Sequence, residues 1–305
     1  MNRFSFTIPQ NIKVGAGTLS LLPDLAKELG KSKAYIISGP HLNKIGMVAK
    51  CQKALKSAGM DSECFTETEG NPSTNTVAKA TEAFKESKAD FIVAFGGGSP
   101  IDVAKAVAVL ATYGGNIVDY EGGGKVPGSI VPMIAIPTTA GTGSEVTAFS
   151  VITDHSRNYK LTVVSNYLLP MYAILDPELI TTVPAGTASA CGIDAMVHAL
   201  EAYISKTSSP FSDIFAKEAL RLIGGNLRDY VADRSNLAAC EAMMVGSLFA
   251  GIAFSHARLG DVHAMSHPIS AYFDVPHGVA NAILLPTVVD FNMSDADPEK
   301  YCYIY

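Results

Sequence analysis

Residues 91–106 read FIVAFGGGSPIDVAKA, and the fold follows from how this stretch changes character at Gly96. Behind Asp90, the run Phe91 to Phe95 is continuously apolar, as a buried strand is, whereas from Ile101 to Ala111 the apolar residues recur at helical spacing. Between them lie Gly96, Gly97, Gly98, Ser99 and Pro100, so the stretch predicts strand, glycine turn and helix. Pro100 suits the first helical position, and Ser99 with Asp102 has the spacing of a capping box. Glycines at such a turn let the backbone approach a pyrophosphate, whose charge is favoured by the free N–H groups and dipole of the helix start. The G-x-G-x-x-G spacing is absent, however, and many α/β proteins carry Gly-Gly turns for structural reasons alone.

The same alternation extends in both directions. Ala34 to Ser38, Glu63 to Thr66 and Val131 to Ile136 read as further strands; Leu19 to Leu29, Met47 to Ala58 and Thr76 to Ser87 read as helices. That pattern implies a parallel sheet covered by helices up to about residue 183. A second glycine-bearing turn, Pro137 to Glu145, clusters hydroxyls that suit phosphate or carboxamide oxygens, or that simply cap a helix. Two such turns at neighbouring strand ends favour a ligand, because open sheets bind at the carboxyl ends of their strands. Tyr113 to Gly128 is punctuated by glycines and predicts a loop. From Pro184 onward strand signals vanish, and Ala188 to Ile204, Asp213 to Ile223 and Asn236 to Phe254 read as helices. The expected fold is α/β plus all-α: a Rossmann-like domain over residues 1–183 and a helical domain over 184–305.

Composition narrows the function. A chain of 305 residues with 48% hydrophobic content exceeds one comfortable core, in keeping with two domains. Charged residues make up 17% and the net charge is −6, so there is no basic footprint for nucleic acid or an anionic membrane. The five cysteines are scattered without C-x-x-C spacing, as free thiols in a reducing compartment are. Met1-Asn2-Arg3-Phe4 leads to polar residues and Pro9 rather than an apolar core, so no signal peptide is read and a cytoplasmic location is expected. Leu237 to Phe254 is apolar on nearly every side, but its glycines and Glu241 favour a buried core helix over a membrane span.

A metal signal lies in the helical half. Asp194 and His198 stand four apart and share a helix face with Glu201 one turn on. Such pairs are common on solvated faces, but Ala195, Met196, Val197, Ala199, Leu200 and Ala202 make the rest of this helix apolar, and a carboxylate and an imidazole there need a partner. Four of the seven histidines, His256, His263, His267 and His277, fall in one short stretch, where spacing pairs His263 with His267. A carboxylate with three or four imidazoles suits Fe(II) or Zn(II) and is poor for Mg(II) or Ca(II).

Several segments together, FIVAFGGGSPIDVAKA from Phe91, IPTTAGTGSEVT from Ile136, ILDPELITTVP from Ile174, CGIDAMVHALEAY from Cys191 and GDVHAMSHPISAYFDVPHGVANAILLP from Gly260, resemble the iron-containing (group III) alcohol dehydrogenases, relatives of glycerol dehydrogenases and dehydroquinate synthases. The resemblance spans practically the whole chain. It implies an active site in a cleft between a Rossmann-like and a helical domain, with Asp194, His198, His263 and His277 as metal ligands and His267 as a non-ligand beside the nicotinamide. It also assigns Gly97, Gly98 and Ser99 to the pyrophosphate turn and Thr138, Thr139, Thr142, Thr147, Lys160 and Leu179 to the lining of the nucleotide site. Gly39 stands where family members that prefer NAD often carry an aspartate; without that carboxylate nothing repels a 2′-phosphate, so NADP is mildly favoured over NAD. Family chains usually continue through several more helices, whereas Asp295 to Tyr305 begins like a helix and stops, so the chain is read as truncated.

The implied reaction is hydride transfer between a short alcohol or diol and NAD(P), with the metal as Lewis acid and His267 relaying the released proton. Phe149, Phe254 and Tyr272 suggest a small apolar substrate, and a homodimer or higher homo-oligomer is expected. The rivals are a metal- and NAD-dependent lyase or cyclase of the dehydroquinate synthase type, for which Lys160 and few other cations are on offer, and a truncated, non-catalytic nucleotide-binding chain.

Overall fold

A computed structural model describes residues 4–8, 11–295 and 297–304. Met1-Asn2-Arg3 and Pro9, which bear on the expected absence of a signal peptide, lie outside them, as do Ala296 and Tyr305 of the C-terminal stretch. The chain forms two compact units: one gathers Thr139–Gly143, Pro177 onward and the N-terminal run up to Ile8, and the other holds the remainder up to Asp176.

The α/β unit contains β1 (Asn11–Val14), α1 (Leu22–Glu28), β2 (Lys33–Ile37), α2 (Pro40–Lys44), α3 (Met47–Ser57), β3 (Asp61–Phe65), α4 (Thr74–Ser87), β4 (Phe91–Gly96), α5 (Gly98–Tyr113), β5 (Gly122–Gly123), β6 (Met133–Pro137), β7 (Phe149–Asp154), β8 (Tyr159–Val164) and β9 (Tyr172–Leu175). Six strands form a parallel sheet in the order β1-β9-β6-β4-β2-β3. Every residue of β4 and β6 is buried, which is why these strands read as unbroken apolar runs rather than alternating ones. The strand order reverses where β2 pairs with both β3 and β4, and at such a switch point the carboxyl ends open a crevice.

Leaving β4, Gly96 adopts φ +152°, and a Cβ there would meet the Pro100 ring at 2.7 Å, so a glycine is required. The expected capping box does not form. Helix α5 starts at Gly98 behind Gly97 with no side-chain cap, and the two candidate residues face other partners. Ser99 Oγ donates to the Gly70 carbonyl at 2.7 Å, while the Asp102 carboxylate accepts from Ser144 Oγ at 2.6 Å and Val151 N at 3.1 Å. One turn on, the fully buried Lys105 ammonium donates to the carbonyls of Ser144, Thr147 and Phe149 at 2.7, 2.8 and 2.7 Å, matching its three protons. Burial pushes this ammonium down to about 8 and the neighbouring Glu145 carboxyl up to about 7.

The helical unit comprises α6 (Ala185–Ile204), α7 (Pro210–Ala232), α8 (Leu237–Ala257), α9 (Asp261–Phe273), α10 (His277–Asn292) and α11 (Pro298–Ile304). Helices α6, α7 and α8 pack on one another, and α10 packs on α6 and α9. Ser209 and Asn236 cap α7 and α8 by accepting from Ser212 N and Ala239 N. By length and composition α8 is apolar enough to cross a membrane, but 67% of its most apolar window is buried within the protein, as in a core helix.

Candidate functional site

Three helices of the helical unit bring the expected ligands together. On α6, Asp194 and His198 share one face, four residues apart, and both are buried. From α9 comes His263, 2% exposed, and from the first residue of α10 comes His277, which is half-buried. That last placement needs Gly278: a Cβ there would lie 2.0 Å from the Ala190 carbonyl oxygen, so only a glycine lets the start of α10 press against α6.

The Nε2 atoms of His263 and His277 each lie 3.6 Å from Asp194 Oδ1, and that of His198 lies 3.9 Å away. Ligand atoms of Asp194, His263 and His277 all fall within 4.8 Å of one another. Ligands at about 2.0–2.2 Å around a tetrahedral cation lie roughly 3.3–3.6 Å apart, near the distances that His263 and His277 keep from Asp194 Oδ1. The His198 ring stacks on those of His263 and Phe254, each at 4.5 Å between centroids. His267, which the spacing paired with His263, lies at the side: its ring is 6.0 Å from that of His263 and 5.1 Å from that of His277.

Hydrogen bonds fix which nitrogen faces inward. His198 Nδ1 donates to the Gly141 carbonyl at 3.3 Å, and His263 Nδ1 donates to Glu201 Oε2 at 2.5 Å, so both present Nε2 towards Asp194. Burial pushes His198 down to about 4, leaving a neutral imidazole with a lone pair to offer at neutral pH. Burial also raises Asp194, but His198, His277 and His263 outweigh it and hold the carboxyl far below the usual range. His263 would be lowered by burial, yet its bonds to Asp194 and Glu201 lift it to about 9. One carboxylate oxygen and three imidazole nitrogens, on residues buried except for the half-buried His277, are donor types that suit a divalent transition metal.

Two side chains at this centre had no assigned role in the sequence reading. Glu201 shows there only as a carboxylate on the same face as Asp194 and His198. Asn281 escapes it altogether, although a neutral amide in the apolar run GVANAILLP is the kind of anomaly that asks for a partner. Its Nδ2 donates to Asp194 Oδ1 at 2.7 Å.

In the α/β unit, the residues matched to a nucleotide site cluster at the carboxyl edge of the sheet. Gly39 follows β2, Gly97, Gly98 and Ser99 follow β4, and Thr138 follows β6, its N–H donating to the Gly96 carbonyl at 2.9 Å. Lys160 Nζ, on β8, donates to Asn71 Oδ1 at 3.1 Å. Thr147 is buried with its hydroxyl 3.2 Å from Lys105 Nζ, so it faces the interior of this unit. Thr139, Thr142 and the buried Leu179 belong to the helical unit. The sequence reading missed Gly70-Asn71, a third polar turn after a strand, which contacts both Ser99 and Lys160. Of the suggested substrate-lining residues, Phe254 stacks on His198, Phe149 lies on β7 of the α/β unit, and Tyr272 is 64% exposed on α9.

Comparison with known proteins places the chain among relatives. Residues 9–177 match the family described as Iron-containing alcohol dehydrogenase, and residues 188–304 match Fe-containing alcohol dehydrogenase family, C-terminal. The chain is 42% identical over 303 residues to the 1,3-propanediol dehydrogenase of Citrobacter freundii, covering 99% of this chain and 78% of that protein. It is 38% identical over 300 residues to the NAD-dependent methanol dehydrogenase of Bacillus methanolicus, covering 98% and 78%. The crystal structure of a 1,3-propanediol oxidoreductase superposes with a TM-score of 0.96 at 40% identity, covering 99% of this chain and 79% of that one.

Proposed function

The chain belongs to the iron-containing alcohol dehydrogenase family, and from that premise we propose how its own residues serve the reaction. It is an oxidoreductase that binds a metal and NAD and moves a hydride between an alcohol and the corresponding aldehyde or ketone. In our reading Asp194, His198, His263 and His277 hold one divalent cation, Fe(II) or, failing that, Zn(II). The observation that carries this is the convergence of three Nε2 atoms on Asp194 Oδ1 within 3.9 Å. When bound, the cation supplies Lewis-acid polarisation of the substrate oxygen, and the nicotinamide exchanges the hydride.

The protein side chains do the rest. Phe254, stacked on His198, keeps an apolar wall against the ligands and limits water there. Half-buried His267 and His277 mark the side by which a small molecule reaches the cluster, and His267 serves as the relay that passes a proton to solvent. The turn at Gly97, Gly98 and Ser99, with Thr138 after β6, takes the pyrophosphate, and Lys160 of the same unit serves the nucleotide as well. Gly39 presents no carboxylate at the end of β2, which supports use of NADP as well as NAD.

Short-chain alcohols and diols are the substrates in this reading, as the names of the methanol and 1,3-propanediol relatives suggest. The rival cyclase chemistry is not favoured, since these relatives are dehydrogenases. A cytoplasmic location fits the free state of all five cysteines. A homodimer or higher homo-oligomer fits the exposed Phe273, Ile283 and Phe291 of α9 and α10. The test is a panel of short alcohols with NAD and NADP on protein loaded with Fe(II) or Zn(II), alongside His198→Ala. We expect alcohol-dependent reduction of the nucleotide, lost together with bound metal in the variant. Full turnover in metal-free protein would reject the scheme.

A further inference from the structure

We propose that Glu201 and Asn281, neither of them a ligand, are positioning residues that set the metal affinity of the centre, Glu201 by holding the ring of His263 and Asn281 by holding the carboxylate of Asp194. The inference rests on the four-ligand centre described above and extends it outward by one layer.

Glu201 is 2% exposed and stands one turn beyond His198 on α6, so helical spacing alone carries it to the same face as Asp194. Both of its oxygens are engaged by α9: Oε2 accepts from His263 Nδ1 at 2.5 Å and Oε1 accepts from Val262 N at 2.7 Å. A Cβ at Gly260 would lie 3.0 Å from Oε1, so the backbone entering α9 closes tightly on this carboxylate. The ring of His263 is thereby fixed in one tautomer with Nε2 turned to Asp194. A carboxylate behind a metal-facing histidine also raises the basicity of the nitrogen in front.

Asn281 is fully buried on α10, one turn beyond His277. Its Nδ2 donates to Asp194 Oδ1 at 2.7 Å and lies 3.3 Å from His263 Nε2, whereas its buried Oδ1 has no hydrogen-bond partner among the described residues. A buried amide satisfied on one side only is a poor device for stability, which points to the role of the other side. The N–H aimed at Asp194 holds that carboxylate against rotation on the same helix that delivers His277. Each helix that supplies a histidine from outside α6 therefore also has a link that fixes a ligand's orientation: α9 through Glu201, α10 through Asn281.

The test is Zn(II) affinity of the full chain, measured by competition with a chromophoric chelator after metal removal, for wild type, Glu201→Gln and Asn281→Ala. Melting temperatures of the metal-free and Zn(II)-loaded forms are recorded in parallel. Each variant is expected to weaken Zn(II) binding by about 10–100-fold, and to lose more melting temperature in the loaded than in the metal-free form. Affinities within twofold of wild type would overturn the proposal, and so would an equal loss of melting temperature with and without metal, which a purely structural link between helices would produce. Should either variant fail to fold, Glu201→Asp and Asn281→Ser are read by the same criteria. His263→Ala is the control for the centre itself: if wild type binds no Zn(II), the four-ligand reading fails, whereas if only His263→Ala loses the metal, this proposal alone fails.

Discussion

At Glu145 the cost of hiding a charge becomes measurable. Burial raises its carboxyl from 4.5 to about 7, so the folded protein holds this proton more tightly than the unfolded chain does. A group raised in this way contributes stability that is fully present below its unfolded value of 4.5 and is lost as the pH climbs through 7. Glu145→Gln has no proton to lose, so its stability relative to wild type should rise by roughly 2 kcal/mol between pH 5 and pH 8 in urea denaturation. A difference that does not change with pH would contradict the burial argument. Gly39 allows a second check: Gly39→Asp should shift preference towards NADH over NADPH by at least about tenfold in kcat/KM, a carboxylate opposing the 2′-phosphate. A Cβ at Gly39 meets the Thr68 carbonyl at 3.3 Å, so the backbone need give only slightly. Asp194 and His198 stood out at this scale because they break an apolar helix, whereas spacing alone paired His263 with His267, whose ring lies 6.0 Å from that of His263. Spacing describes neighbours on one helix, whereas this centre is assembled from three, and neither the grip of Glu201 on α9 nor the presence of Asn281 can be read from one helix alone.

Among the elements, the strands that were read from sequence are the five- and six-residue strands β2, β4 and β6, with β3 beside them. The short strands β1 and β9, four residues each, and the hairpin of β7 and β8 were not read. β1 is partly exposed and β9 runs straight into the polar Asp176, while β8 alternates between half-buried and buried positions too weakly to stand out. The expected capping box at Ser99 and Asp102 failed for a related reason: local spacing could not foresee that Gly70 and Ser144 would offer these side chains better partners. The element contact on which most depends is that of α10 with α6 at Gly278. Gly278→Ala must push α10 away from the Ala190 carbonyl, and a shift of that kind costs about 1–3 kcal/mol or more. Because His277 and Asn281 ride on α10, the variant should also retain less metal after dialysis than wild type. A stable Gly278→Ala protein with full metal content would show that the close approach is not needed.

For the molecule as a whole, the switch from alternating strands to helices was enough to reveal two kinds of structure. A boundary near residue 183 was expected. The compact units instead assign Thr139–Gly143 and the turn Pro177–Ile180 to the helical side. That exchange is invisible in the sequence because it depends on packing: a Cβ at Gly143 would lie 2.8 Å from the Gly251 backbone of α8, so the glycine turn is pressed against a helix far along the chain. A cation that binds only the folded protein should raise its melting temperature with concentration, as mass action requires. X-ray absorption at the metal edge of the Fe(II)- or Zn(II)-loaded chain examines the centre itself. A shell of three imidazole nitrogens and at least one oxygen at about 2.0–2.2 Å is expected, with loss of one imidazole in His277→Ala. A shell containing sulfur, or one unchanged when His277 is replaced, would contradict a single cation held by Asp194, His198, His263 and His277.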